Sequence, residues 1–272
     1  MPMKGGLIAA LSGASGMGCD CLQIFSRNPR IWKDQPIGRE EAAAAARKRK
    51  SLKLSPFILH SIYLSNISSE DPILHQKSKD ALAADLVRAN LLEADSLVVH
   101  IRMGKNIGQS VARAVSAIDE AFAQVPGNKA MLLLENTAKA DPDRIFWNFI
   151  RSIFKASRFP QHLGLCLDTC HAYASGFDLS KKPGLNELLT LIECSVGLGN
   201  LGLIHANDCR TALGSGGDRH THIGEGNIGL GGFRNLVNHP ALSHLPVILE
   251  TPKKTPEDDP RNLKVLRSLV AS

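Results

Sequence analysis

Six residues of metal-binding type close six short apolar runs in this chain. Phe57-Ile-Leu ends in His60, Leu97-Val-Val in His100 and Met131-Leu-Leu-Leu in Glu135. Leu165-Cys-Leu ends in Asp168, Leu203-Ile in His205 and Val247-Ile-Leu in Glu250. The steps between these residues are 40, 35, 33, 37 and 45 positions. Each is about the length of one strand–helix unit, since a βαβ crossover takes roughly 30 residues or more. If the runs are parallel strands, their ends converge and bring imidazoles and carboxylates together. Two off-beat pairs join them: Asp168 with His171, and Asp218 with His220 beside the glycine-rich Gly214-Ser-Gly-Gly217. Five histidines and four carboxylates then make nine candidate ligands. At three or four protein ligands per ion, with some shared, nine suffice for two or three ions. Imidazole mixed with carboxylate suits Zn²⁺, Mn²⁺ or Fe²⁺ in a catalytic rather than structural role. A glutamate between histidine ligands can bridge two ions, and a multi-metal centre is a standard solution for phosphodiester hydrolysis.

The other residues of these types have plainer explanations. His75, His162, His222, His239 and His244 lack strand-end placement and read as surface or core histidines. Cys166 and Cys170 flank ligands but read as small packing residues. Arg47-Lys-Arg-Lys50 follows an alanine run, and cations favour helix C-termini, so it reads as a solvated helix end rather than a phosphate site. Gly224-Glu-Gly226 with Gly229 reads as a flexible loop.

The elements that must position the ligands follow from apolar patterning. Strands are expected at Cys21–Phe25, Phe57–His60, Leu97–His100, Met131–Glu135, Leu163–Asp168, Leu201–His205 and Val247–Glu250. These runs lack clean alternation, as strands buried on both faces do. Helices are expected at Leu7–Gly16, Glu40–Lys53, Gln76–Glu93, Val111–Val125, Asp143–Phe154, Leu185–Val196 and Asp259–Val270. Strand and helix in alternation imply an α/β fold with a parallel sheet and right-handed crossovers. A closed (β/α)8 barrel has eight strands; here seven are visible, and Gly5-Gly6-Leu7 enters a helix with no strand before it. The expectation is one domain over residues 1–272, a TIM barrel lacking its first strand, with Met1 lying inside a longer reading frame.

Composition sets the outer bounds. The 272 residues fit one large domain, and 43% hydrophobic content fills a core. No run approaches the ~18 uninterrupted apolar residues of a membrane helix, and the N-terminus is no signal peptide. The six cysteines (Cys19, Cys21, Cys166, Cys170, Cys194, Cys209) show no disulfide framework and read as reduced thiols. The net charge is +6. With four carboxylates gathered at metal, the remainder carries about +10, which suits a polyanionic substrate as well as it suits no partner at all.

Longer motifs surround the ligands. They are Gln23-Ile-Phe with Asn28-Pro-Arg30-Ile-Trp32, His60-Ser-Ile-Tyr63, Leu133-Leu-Glu135-Asn-Thr137 and Cys166-Leu-Asp-Thr-Cys-His171. His205-Ala-Asn-Asp208, Asp218-Arg-His220 with Ile223-Gly-Glu-Gly-Asn-Ile-Gly229, and Leu249-Glu-Thr251 complete the set. From Gly5 onward the chain closely resembles the endonuclease IV family of zinc-dependent apurinic/apyrimidinic endonucleases. The resemblance implies a TIM barrel holding three zinc ions, with Mn²⁺ or Fe²⁺ as substitutes. It implies that His60, His100 and Glu135 hold the first ion; Glu135, as a bridge, with Asp168, His205 and Glu250 the second; and His171, Asp218 and His220 the third. Glu135 and Glu250 would also serve catalysis, and Arg30, Tyr63 and Leu64 would enter DNA at the lesion. The implied activity is base-excision repair: hydrolysis 5′ to an abasic site in double-stranded DNA, leaving 3′-hydroxyl and 5′-deoxyribose phosphate ends, with phosphatase and phosphodiesterase cleaning of blocked 3′ ends. A monomer in the cytoplasm, or in the nucleus of a eukaryote, away from membranes, is the implied setting.

The chain departs from the family pattern at Ile101-Arg102, where Pro-Gly is usual, and at Lys139, where glycine is common. The first departure predicts an altered loop beside the first ion. Two other readings stand beside the endonuclease. One is a metal-dependent sugar isomerase or epimerase on a similar barrel, which needs fewer ligands and no DNA-entering side chains. The other is an N-terminally truncated, inactive homologue that still binds DNA or metal.

Overall fold

Short runs such as Phe57-Ile-Leu and Leu97-Val-Val are buried on both sides of a strand, which is the placement that a parallel sheet under helices requires. The computed structural model describes every residue except 2, 4, 34, 35, 142 and 272. The chain packs as two compact units.

The first unit is Met1–Glu135 with Ser152–Gly164. Its elements are α1 (Gly6–Gly16), β1 (Leu22–Phe25), α2 (Arg39–Ser51), β2 (Phe57–His60), α3 (Pro72–Leu91), β3 (Ser96–His100), α4 (Ile107–Gln124) and β4 (Met131–Glu135). Strands β1 to β4 pair in parallel in chain order. The register sets His60 opposite Phe25 and His100 opposite Glu135. Among the described residues no strand precedes α1. Helix α3 starts where Asp71 accepts from the Ile73 and Leu74 amides at 2.8 and 3.1 Å, with Pro72 at the first helical position. Helix α2 buries Ala42, Ala45 and Ala46 and ends in Lys48-Arg49-Lys50. Lys50 pairs with Glu93 at 2.7 Å and Arg49 donates to the Glu93 carbonyl at 3.1 Å, so the basic run is a helix end.

A buried ion pair ties the loops after β1 and β2 to α3. Arg27 Nη2 donates to Asp85 Oδ1 at 2.8 Å, and Ser61 Oγ donates to Asp85 Oδ2 at 2.9 Å. Burial pushes the Asp85 carboxyl up and the Arg27 guanidinium opposes it. Removing either partner would strand a buried charge at a cost of about 3–5 kcal/mol. Ser61 follows His60 directly, so this pair steadies the end of β2.

The second unit is Asn136–Arg151 with Leu165–Ser272. The chain continues through α5 (Ile145–Ala156), β5 (Leu163–Asp168), α6 (Thr169–Ser175), α7 (Lys182–Ser195), β6 (Leu201–His205), β7 (Asp208–Cys209), β8 (His220–Thr221), α8 (Gly229–Val237), β9 (Val247–Ile248) and α9 (Asp258–Ser268). β5, β6 and β9 pair in parallel, with Asp168 opposite His205. β7 and β8 form an antiparallel hairpin that sets Cys209 opposite His220.

Patterning missed α6, α8 and the hairpin. α6 is short and wholly buried, and its residues read as a ligand motif. α8 carries Gly229, Gly231 and Gly232, which are poor helix formers. Gly232 is required by packing, since a Cβ there would stand 2.5 Å from the Leu179 carbonyl oxygen. The last strand is shorter than Val247–Glu250. The Glu250 amide leaves the ladder and donates to Asn207 Oδ1 at 2.8 Å. The Gly224–Gly229 segment is also no free loop. The buried Asp208 carboxylate accepts from the amides of Gly224 at 2.9 Å, Gly226 at 3.0 Å and Ile228 at 3.0 Å. Among the described residues no helix is long and apolar enough to cross a membrane.

Candidate metal centre

In the first unit, three strand ends supply His60, His100 and Glu135. One ligand atom from each lies within 4.8 Å of the others. Both imidazoles aim at one oxygen: His60 Nε2 is 3.2 Å from Glu135 Oε2 and His100 Nε2 is 3.5 Å from it. His60 Nδ1 stands 2.7 Å from the Ser61 carbonyl. A carbonyl only accepts, so Nδ1 carries the proton and Nε2 presents its lone pair to the cluster. A carbonyl or carboxylate on the far ring nitrogen is the usual support of a metal-ligating histidine. Tyr63, 46% exposed, lies beside these rings, 5.9 Å from His60 and 6.0 Å from His100 between centroids. Its amide donates to the Pro29 carbonyl at 3.2 Å, which joins the Tyr63 loop to the exposed Arg30. Leu64 is half-buried.

At the first departure from the family pattern, Ile101-Arg102, the backbone of both residues is hydrogen-bonded. Ile101 is buried and its amide donates to the Glu135 carbonyl at 3.3 Å, extending the ladder past His100. The Arg102 carbonyl accepts from the Ser68 hydroxyl. Lys139, in the second unit, is exposed.

The second unit holds the other six. One ligand atom each of Asp168, His205 and Glu250 lies within 4.8 Å of the others, with His205 Nδ1 3.2 Å from Glu250 Oε2. His171, Asp218 and His220 form a further trio on the same criterion. His171 Nε2 is 3.4 Å from Asp218 Oδ2 and His220 Nε2 is 3.1 Å from Asp218 Oδ1. The far nitrogens are again fixed by carbonyls, His171 Nδ1 at 2.9 Å from Asn136 O and His220 Nδ1 at 3.1 Å from Glu250 O. His220 Nε2 is buried between two carboxylates, Asp218 at 3.1 Å and Asp168 at 3.7 Å. Two imidazoles converging on carboxylates in a buried setting fit a divalent transition ion in place of the protons.

Electrostatics of the bare trio point the same way. The His171 and His220 rings hold the Asp218 carboxyl far below the usual carboxylate range. Burial pushes the His220 imidazole down, but Asp168 and Asp218 outweigh it, and the net value is raised to about 9. Protons here do what a cation would do. Cys170 is buried as a packing residue would be, yet its ligand atom also lies within 4.8 Å of those of Asp168 and His220. Its thiol donates to Cys209 and is pushed up, while Cys209 is drawn down.

Asparagines, absent from the ligand pattern, organise the second unit. The Asn136 side chain exchanges two bonds with the Asp168 backbone, accepting from its amide at 2.8 Å and donating to its carbonyl at 3.1 Å. Asp168 caps α6 by accepting from the His171 amide at 2.8 Å. Both asparagines were visible in the motifs as Glu135-Asn136 and His205-Ala-Asn207, but their residue type alone assigns no role. Two of the set-aside histidines make structural contacts: His75 meets the Arg113 carbonyl at 3.1 Å, and His222 meets Asn262 at 2.9 Å.

The family model of the xylose isomerase-like TIM barrel matches residues 11–269. The chain is 40% identical to "Probable endonuclease 4" of Solibacter usitatus over 275 residues, covering 99% of this chain and 94% of the relative. The crystal structure of endonuclease IV from Thermus thermophilus aligns with a TM-score of 0.85 at 33% identity, over 98% of this chain and 94% of that one. A D-tagatose 3-epimerase-like protein aligns with a TM-score of 0.67 at 16% identity, over 92% of this chain and 88% of that one, which is a likeness of fold alone.

Proposed function

This chain belongs to the endonuclease IV family, within the xylose isomerase-like TIM barrels, and from that membership we propose that it incises DNA 5′ to abasic sites with a three-zinc centre. The reaction leaves 3′-hydroxyl and 5′-deoxyribose phosphate ends, and the same centre cleans blocked 3′ ends. His60, His100 and Glu135 hold one ion, and His171, Asp218 and His220 another. Asp168, His205 and Glu250 would hold the third. The observation that carries this reading is the pair of imidazole–carboxylate trios, in which His60, His171 and His220 are fixed through Nδ1 by backbone carbonyls.

Zinc bound there would supply Lewis-acid stabilisation of charge on the phosphate and a lowered pKa for water. The chain's own residues do the rest. Glu135 and Glu250 would each supply the negative charge that retains a cation at its own cluster. Tyr63 and Leu64, beside Arg30, enter the duplex where the base is missing, which is where extruding a nucleotide costs least. The mild positive charge favours the DNA backbone and makes binding weaken as salt rises.

Elemental analysis of the purified protein and incision of a duplex with one abasic site test the reading together. Three zinc ions per chain and a single cut 5′ to the lesion are expected. One or two metals with sugar turnover, or folded metal-poor protein that leaves the duplex intact, would overturn it.

A further inference from the structure

The Asn207 carboxamide lies between two side chains of the proposed centre. Its Nδ2 donates to Asp168 Oδ2 at 2.5 Å, and its Oδ1 accepts from the Glu250 amide at 2.8 Å. Only this orientation works, because the flipped amide would set oxygen against a carboxylate and NH₂ against an N–H. The Asn207 backbone is clasped as well. Its amide donates to Thr169 Oγ1 at 2.9 Å, and its carbonyl accepts from the same hydroxyl at 2.8 Å. Asn207 and Asp168 are fully buried, so no solvent competes for these bonds.

We infer that Asn207 is a positioning residue for the metal centre, joining the ends of β5, β6 and β9. An ionised carboxylate offers about four lone-pair sites. On Asp168, the His171 amide at 2.8 Å takes one and Asn207 takes another, so the carboxylate is held against rotation with its remaining lone pairs free to ligate. At the other end of the amide, Glu250 is drawn out of the strand ladder, and its main chain is set by a side chain rather than by a neighbouring strand. One residue therefore orients two proposed ligands of one ion. Outer-shell partners of this kind are worth roughly 10–100-fold in metal affinity.

The inference rests on Asp168 and Glu250 being ligands, and its test separates the two claims. Asn207→Asp has nearly the same volume and keeps an oxygen for the Glu250 amide, but turns a second oxygen toward Asp168. The metal-free variant is expected to fold, since two adjacent carboxyls can share a proton. Asn207→Ala removes both bonds. Wild type and both variants are stripped of metal, checked by thermal unfolding, and titrated with zinc against a chromophoric chelator. The expected result is a variant that unfolds near the wild-type temperature without metal and binds its weakest zinc about 10–100-fold less tightly. Wild-type zinc affinity in Asn207→Asp would overturn the assignment. Failure of both variants to fold without zinc would make Asn207 a structural residue and overturn it equally. A wild type that binds no zinc would overturn the metal reading and this inference with it.

Discussion

The two imidazole–carboxylate trios differ in how they are held. His60, His100 and Glu135 end three neighbouring strands of one parallel sheet, with His100 in register with Glu135. His171 sits on a short helix capped by Asp168, while Asp218 lies in the glycine-rich loop that connects the β7–β8 hairpin and His220 opens β8. Glu135 is fully buried, whereas the Asp218 side chain is 54% exposed. The first trio is built into the ladder; the second is assembled from pieces whose positions depend on side-chain bonds. A ladder-built trio should bind metal early and release it late. A hairpin-built trio should exchange metal with solvent and follow pH.

The largest effect should come from the ladder-built trio. Glu135→Gln removes the carboxylate on which both imidazoles converge, and turnover on an abasic duplex should fall at least about 100-fold. Loss of bound metal by elemental analysis, with an unchanged circular dichroism spectrum, would separate this from misfolding; wild-type metal content would break the comparison. Asp218→Asn should be milder. One ion should be lost while the His60 trio stays loaded, with turnover down by roughly 10–100-fold.

A pH series sharpens the contrast further. In the metal-free protein His220 is raised from 6.5 to about 9, so it is protonated at neutral pH and must lose that proton to ligate. Zinc affinity at the hairpin trio should therefore rise about tenfold per pH unit up to about pH 9 and then level off. The same shift predicts the opposite trend for metal-free stability. A folded-state value above the unfolded one gives stabilisation that is complete below about pH 6.5 and lost as pH rises through about 9. Chelator competition and thermal unfolding at four pH values read both slopes, and parallel slopes would contradict the assignment. The smallest effect belongs to the scaffold. Asp71→Ala removes the α3 cap and should cost about 1 kcal/mol of stability while leaving zinc affinity at both trios unchanged.

Legibility in the sequence followed the same division. His60, His100 and Glu135 were readable because apolar runs announce buried strands and each run closes on a residue of ligand type. Asp218 and His220 were readable as a pair but not as a hairpin, since strands of two residues carry no periodicity. α8 was hidden by its glycines, which serve close packing rather than flexibility. Asp208 and Asn207 were present in a quoted motif, yet a carboxylate that gathers backbone amides looks in sequence like any other aspartate. The length of β9 depended on a side-chain bond from Asn207, which no local pattern encodes. Hydrophobic period therefore reports the ladder, and polar satisfaction, which is decided in three dimensions, sets the rest.

Stepwise zinc addition to metal-stripped protein, with incision of a single-abasic-site duplex followed at each equivalent, tests the three-ion endonuclease most directly. The expected result is no cutting at one equivalent and full cutting, 5′ to the lesion, only as the third equivalent fills the hairpin trio. Full activity at one equivalent, or no incision at any loading of folded protein, would contradict it.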